Sequence, residues 1–280
     1  EIADRAIVGF NNMVATQRYE EYVKTALQPG AHVNISGAGL PVDLPKYTEG
    51  SFVKIAPIVS SVKSLNVLIR MWERKYNRYP DFVVIEGPSA GGHLGFSLEE
   101  LETFTQEPYD QVIRGIIGKT REYAKKAGRE IPVVVAGGIF DGEDMKHALS
   151  LGADGVQVAT RFVTTEECDA APAYKEAYIK AKKEDICIVK SPVGMPGRAI
   201  HNAFIDKTQK EKCRIKHCYH CITTCDPAKI PYCITQALVN AAEGKLDQAL
   251  LFCGENAYRC DKIEKVKNIM EEFDRANQER

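Results

Sequence analysis

A chain of 280 residues, 44% hydrophobic and 27% charged, can form one large domain, or one domain with an appendage. Its 37 Lys and Arg against 38 Asp and Glu give no case for nucleic acid. No apolar run approaches the roughly 20 residues of a membrane span, and "EIADRAIVGF" lacks the basic segment and long apolar core of a signal peptide.

In chain order, "RAIVGFNNMV" reads as a strand ending in polar residues, and "YEEYVKTALQPG" as a helix stopped by Pro29 and Gly30. "AHVNISGAGLP" is the next strand and loop. "FVKIAPIVSS" is another strand, followed by a helix through "VKSLNVLIRMWERKY", in which Trp72 is a core or interface residue. "DFVVIEG" is apolar without alternation, as expected of a parallel strand covered on both faces. It runs directly into "EGPSAGGHLGF", which places Gly91 and Gly92 before the single His93. A long helix is expected from about Gln111 to Lys126, then a strand in "IPVVVAGGIF", a helix in "DGEDMKHALSLG" and a strand in "ADGVQVATRF".

Strands alternating with helices imply βαβ units and a parallel sheet. About six strands fall before Phe162, whereas a closed (β/α)8 barrel needs eight. The sheet is therefore either open or short of two strands that belong upstream of Glu1. Two successive strand ends, Gly137-Gly138 and Gln157-Val158-Ala159-Thr160, match the phosphate site that barrels build after their last two strands; the plainer alternative is that these glycines only serve tight βα turns. The phosphate reading makes these strands seven and eight. The fold class expected is thus a TIM (β/α)8-type barrel lacking its first two strands in this chain, over residues 1–165. A Cys-rich helical extension follows over residues 166–280, with "ICIVKSPVGMPGRAI" as a strand or extended segment. The loop around Met195 is either a lid over the site or a rigid connection.

Nine cysteines, five of them clustered late, fit a reduced, cytoplasmic setting better than a disulfide framework. Cys218 and Cys221 have the two-residue spacer of Zn and iron–sulfur sites, and Cys225 and Cys233 could complete four ligands. The alternative is half-buried thiols packing as small hydrophobes, the reading given to Cys168, Cys187, Cys253 and Cys260. The basic run Lys207 to Lys216 reads as a solvated face.

"GPSAGGHLGF", "PVVVAGGIFDG" and "GADGVQVATRF", in this order and spacing, resemble the nitronate monooxygenase family, formerly 2-nitropropane dioxygenase, which includes the closely similar flavin-dependent enoyl-ACP reductases. The resemblance covers most of the chain; "VTTEECDA", "SPVGMPGRAI" and the Cys-rich tail resemble a bacterial subgroup. It implies a TIM barrel with non-covalent FMN, a small-molecule substrate and a possible homo-oligomer, with no nucleic acid or membrane partner. It places Asn11, Glu86 and Gly91, beside Gly92, on the flavin, and Gly138 (with Gly137), Gln157, Val158, Ala159 and Thr160 on its phosphate. It makes His93 the catalytic base and puts Ser36 on the substrate side. The function implied is oxidation of alkyl nitronates by oxygen to a carbonyl compound and nitrite. An NAD(P)H-dependent enoyl-ACP reductase and a non-catalytic flavin-binding module are the alternatives. Three departures stand out. The family often has glutamine at the Glu86 position, Ala159 replaces a glycine, and nothing here matches the family's flavin-touching Gly-Gly-Met stretch. Without that segment the chain is not expected to hold FMN normally.

Overall fold

The computed structural model describes residues 7–28 and 30–279. Pro29, expected with Gly30 to stop the first helix, lies outside them. The strands are β1 Gly9–Met13, β2 Val33–Gly37, β3 Lys54–Val59, β4 Val83–Glu86, β5 Gly92–His93, β6 Val133–Ala136, β7 Gly155–Gln157, β8 Ile186–Lys190, β9 Pro196–Ile200 and β10 Leu251–Phe252. One sheet of six strands runs in the order β1-β2-β3-β4-β6-β7. Its first three pairings are parallel, with Asn11 opposite Ile35, Val33 opposite Lys54 and Ile58 opposite Val84. Neighbours in the sheet follow chain order, as helical crossovers between parallel strands require.

The residues gather in two compact units interleaved along the chain. The first holds residues up to Glu86, with Thr105–Val135 and Leu151–Gly155; the second holds Gly87–Phe104, Ala136–Ser150 and Val156–Arg280.

In the first unit the helix Val62–Tyr76 starts on a capping box between Ser61 and Ser64 and stops at Asn77, which is left-handed at φ 46°. Its apolar residues Leu65, Leu68, Ile69 and Trp72 recur at helical spacing, and all four are buried. Trp72 packs among Tyr19, Val23, Leu44 and Ile55. Its indole N–H donates to the Pro41 carbonyl at 2.9 Å, so its one polar atom is satisfied inside the core. The expected helix around Gln111 to Lys126 extends over Gln106–Ala127 and ends at Gly128 in the left-handed region.

In the second unit "ICIVKSPVGMPGRAI" is a hairpin: β8 and β9 pair antiparallel, with Ile188 opposite Arg198. β9 also pairs antiparallel with β10 and with β5, where His93 stands opposite Gly197. β5 and β10 have two residues each, too few to show any alternation in sequence. The helix Val266–Gln278 lies against the helix Gly142–Ser150. A Cβ on Gly142 would come within 2.5 Å of the Ala276 Cβ, so only glycine permits that approach. Arg161 ties these parts together. Its Nε donates to Glu264 at 3.0 Å, and its two terminal nitrogens grip Glu272 at 2.9 and 2.7 Å, a bidentate pairing.

Among the described residues no helix is long and apolar enough to cross a membrane.

Candidate active site

Each compact unit carries part of the residue set singled out in sequence. In the first unit, Ser36 on β2 is fully buried, as is Asn34. The Tyr19 hydroxyl donates to the Ser36 Oγ at 2.8 Å, and that hydroxyl donates to the Asn34 Oδ1 at 3.1 Å. The chain of three leaves the Asn34 Nδ2 buried with no hydrogen-bond partner, and the Asn12 Nδ2 is in the same state. Side chains alternate along a strand, so Asn11, which is exposed, and Asn12 face opposite ways. Asn12 and Asn34 carry no motif that would single them out; only burial marks them. Buried amide donors left open are costly, and they suit a polar ligand that the protein atoms do not replace.

Glu86 ends β4 in the same unit. Burial alone pushes its carboxyl up to about 7, because charging a carboxyl away from water is unfavourable. Its backbone carbonyl accepts from the Tyr109 hydroxyl at 3.2 Å. Burial first, and Glu86 second, raise the Tyr109 phenol as well. The departure from the family's glutamine is therefore a carboxyl whose proton burial holds more tightly than usual, not one held down by a cationic partner.

The second unit holds the glycine turns and His93. Gly91 is glycine because the backbone of Cys253 and Gly254 passes against it: an added Cβ would lie 2.5 Å from the Cys253 carbonyl carbon. Gly137 has φ 91°, a region closed to most residues, and its Cβ would lie 2.9 Å from the Ala90 nitrogen. The glycines thus let the turn 87–91, the strand end at 137 and the stretch 253–254 close on one another. The Gly87 N–H donates to the Ala136 carbonyl at 2.9 Å, and the Glu255 N–H to the Ser89 carbonyl at 3.1 Å. Arg198 completes the clamp, its buried guanidinium donating to the Ala90 carbonyl at 2.7 Å and to that of Pro88. Gly91→Ala is expected to cost on the order of 1–3 kcal/mol through overpacking against backbone, read as a lowered melting temperature.

The two helix starts after β6 and β7 differ. The helix Gly142–Ser150 is capped by its own chain: the Asp141 Oδ1 accepts from the Glu143 and Asp144 N–H groups, both at 3.0 Å. The short helix Thr160–Val163 follows Ala159, whose side chain cannot cap, and its start has no side-chain hydrogen bond. The Phe162 N–H donates to the Ala159 carbonyl at 3.0 Å, and no side chain caps the N–H groups before it. The Thr160 Oγ1 is engaged, accepting from the Gly254 N–H at 2.9 Å. Gln157 ends β7, and Val158, Ala159 and Thr160 lead into this turn. Gly138 also has positive φ, at 80°, and its carbonyl accepts from the Asn256 side-chain amide at 2.7 Å.

His93 follows Gly92 on β5. Its Nε2 lies 2.7 Å from the Oγ of Ser191, at the head of the loop that joins β8 to β9. Its ring meets Phe252 edge to face, centroids 4.9 Å apart. Burial pushes the imidazole down to about 4, so at neutral pH it is uncharged and suited to accept a proton. Ser191, Arg198 and Phe252 were not legible as site residues, since they reach His93 and its turn only through pairing with β9.

The expectation of Zn or iron–sulfur at Cys218, Cys221, Cys225 and Cys233 is corrected. Among the described residues no group of three or more His, Cys, Asp or Glu side chains is arranged to hold a metal ion, and the cysteines are free thiols. Burial, then the neighbouring Cys221, Cys218 and Cys233, push the Cys225 thiol up. The packing alternative for these half-buried thiols remains.

A six-stranded sheet whose strands alternate with helices and follow chain order makes this an α/β protein. A profile of the nitronate monooxygenase family matches residues 2–274: the chain belongs to the nitronate monooxygenase family. It is 36% identical over 128 residues to a "Probable nitronate monooxygenase" of Staphylococcus saprophyticus, a match that covers 45% of this chain and 34% of that protein. A "Probable nitronate monooxygenase" of Staphylococcus aureus is 32% identical over 127 residues, covering 45% of this chain and 33% of the relative. The matched stretch thus spans about a third of these relatives' length. Among solved structures, FabK from Thermotoga maritima superposes with a TM-score of 0.72 at 28% identity, over 97% of this chain and 76% of FabK. Nitroalkane oxidase from Streptomyces ansochromogenes has a TM-score of 0.66 at 19% identity, over 93% of this chain and 69% of the oxidase, a likeness of fold.

Proposed function

We propose that this chain acts as an FMN-dependent oxidoreductase of the nitronate monooxygenase type, which converts alkyl nitronates with oxygen to a carbonyl compound and nitrite. Its six-stranded sheet corresponds to part of a (β/α)8 barrel. The observation that carries the reading is the presence, within one compact unit, of a helix start at Ala159 and Thr160 without a side-chain cap and a neutral, half-buried His93. The N–H groups there, with the turn at Gly137 and Gly138, suit the phosphate of FMN. FMN, when bound, supplies electron acceptance from the substrate and the reaction with oxygen. His93 takes the α-proton of a neutral nitroalkane and so generates the nitronate; a charged imidazole would instead have served as an anion anchor. The neutral imidazole has a nitrogen lone pair to offer that proton, and burial makes it a weaker base than a free histidine. Phe252, at the ring edge, shields it from water.

The first test is cofactor binding. Titrating the protein with FMN is expected to quench flavin fluorescence and to give a yellow protein, at a weaker affinity than a chain carrying the Gly-Gly-Met stretch would show. Protein that stays colourless after gel filtration would remove the reading.

A second reading, reduction of an enoyl thioester by NAD(P)H, is favoured by the coverage of FabK, 97% of this chain. The electron donor separates the two. Anaerobic bleaching of bound flavin by NADH alone supports the reductase; bleaching by nitroalkane alone supports the oxidase-type reaction.

A further inference from the structure

The loop between β8 and β9 holds its first residue unusually firmly. The Ser191 N–H donates to the Met195 carbonyl at 3.1 Å, and the Gly194 N–H donates back to the Ser191 carbonyl at 3.0 Å. The Val193 N–H donates to the Ser191 Oγ at 3.2 Å, and Ser191 is 3% exposed. The hydroxyl oxygen is therefore fixed by its own turn, and it lies 2.7 Å from the His93 Nε2. The backbone of His93 is held by the same hairpin, since His93 pairs with Gly197 and the Leu94 N–H donates to the Pro196 carbonyl at 2.9 Å. Ring and hydroxyl thus belong to one rigid piece.

We infer that Ser191 is a positioning residue for His93: its Oγ accepts the Nε2–H of the imidazole and so leaves the Nδ1 lone pair as the proton-accepting atom. A hydroxyl oxygen has two lone pairs. The Val193 N–H occupies one, and the Nε2–H takes the other. Among the described residues Nδ1 has no hydrogen-bond partner, so it is the nitrogen free to receive a substrate proton. When Nδ1 takes that proton, both ring nitrogens carry hydrogen and Ser191 keeps the Nε2–H paired. The Nε2–H of the imidazolium then stays paired in a half-buried site. Fixing the tautomer of a catalytic histidine by what its other nitrogen touches is a general device. The inference rests on the base role proposed for His93.

The test is nitrogen NMR of histidine-labelled protein at neutral pH, with the His93 signals assigned by their absence in His93→Gln. In the parent protein Nε2 is expected to carry the proton and Nδ1 to be bare. Ser191→Ala is expected to give a mixture of tautomers and to lower nitroalkane turnover about tenfold or more. Turnover of preformed nitronate should barely change. Ser191→Thr, which keeps the hydroxyl, is expected to restore the parent spectrum and rate; it also guards against a fold defect in the alanine variant, which melting would reveal. A parent spectrum with the proton on Nδ1, or Ser191→Ala with an unaltered tautomer, would overturn the inference. The spectra need no bound flavin, so a failure of FMN binding is seen separately, in the cofactor titration.

Discussion

His93→Ala is expected to lower turnover of a neutral nitroalkane by about 10²–10⁴-fold, the range that a positioned general base contributes, and to change turnover of the preformed nitronate by less than about tenfold. The split follows from the imidazole's state. Held down to about 4 by burial, it is neutral through the physiological range, so it has no charge with which to anchor an anion and keeps a lone pair that can accept a proton, though more weakly than a free imidazole. Initial-rate oxygen uptake with both forms of one substrate, on protein matched for flavin content, measures it. Equal losses on both forms would remove the base role and leave a binding role. The pH profile carries the same signature. Activity on the nitroalkane should hold level from about pH 8 down to about pH 5 and fall only as pH drops through about 4; an unburied histidine would fail near 6.5. The sign for stability agrees. A folded value below the unfolded one means that the unfolded chain binds the proton first. His93 therefore contributes stability above about 6.5 that is lost as pH falls towards 4. His93→Ala should flatten that part of the acid limb.

Glu86→Gln is expected to stabilise the protein at pH 8 by up to about 3 kcal/mol, at the 1.36 kcal/mol per pKa unit of linkage, and to change little at pH 4. Burial holds the folded carboxyl up to about 7 against an ordinary value of 4.5. Its contribution is therefore complete below 4.5 and lost as pH rises through 7, where the folded protein must charge a buried carboxyl. Glutamine keeps the shape and removes the charge. Thermal melting of parent and variant at both pH values measures the effect, a rise of several degrees at pH 8 for a chain of this size. An equal rise at both pH values would mean that packing, not ionisation, is responsible. The substitution also installs the residue the family often carries here, so it bears on why this chain differs: below about pH 7 the carboxyl keeps its proton and offers a donor where glutamine offers an amide.

Much was legible in the sequence because it depends on local periodicity. The helix "VKSLNVLIRMWERKY" is Val62–Tyr76 to the residue, since its apolar spacing and flanking Ser61 and Asn77 signal face, start and stop together. "DFVVIEG" gave β4 because strands buried on both faces read as unbroken apolar runs. The six strands expected before Phe162 are the six of the sheet. Composition and motif order also sufficed for the family. Tertiary structure alone decided the rest. The reason for glycine at 91 is a backbone segment more than 160 positions downstream, against which no side chain fits. The partner of His93 is a serine 98 positions away, brought there by a two-residue strand that has no periodicity to read. The states of Glu86 and His93 also belong to the fold, because proton affinity is set by the water a group has lost, and burial is a property of neighbours that a linear pattern does not name.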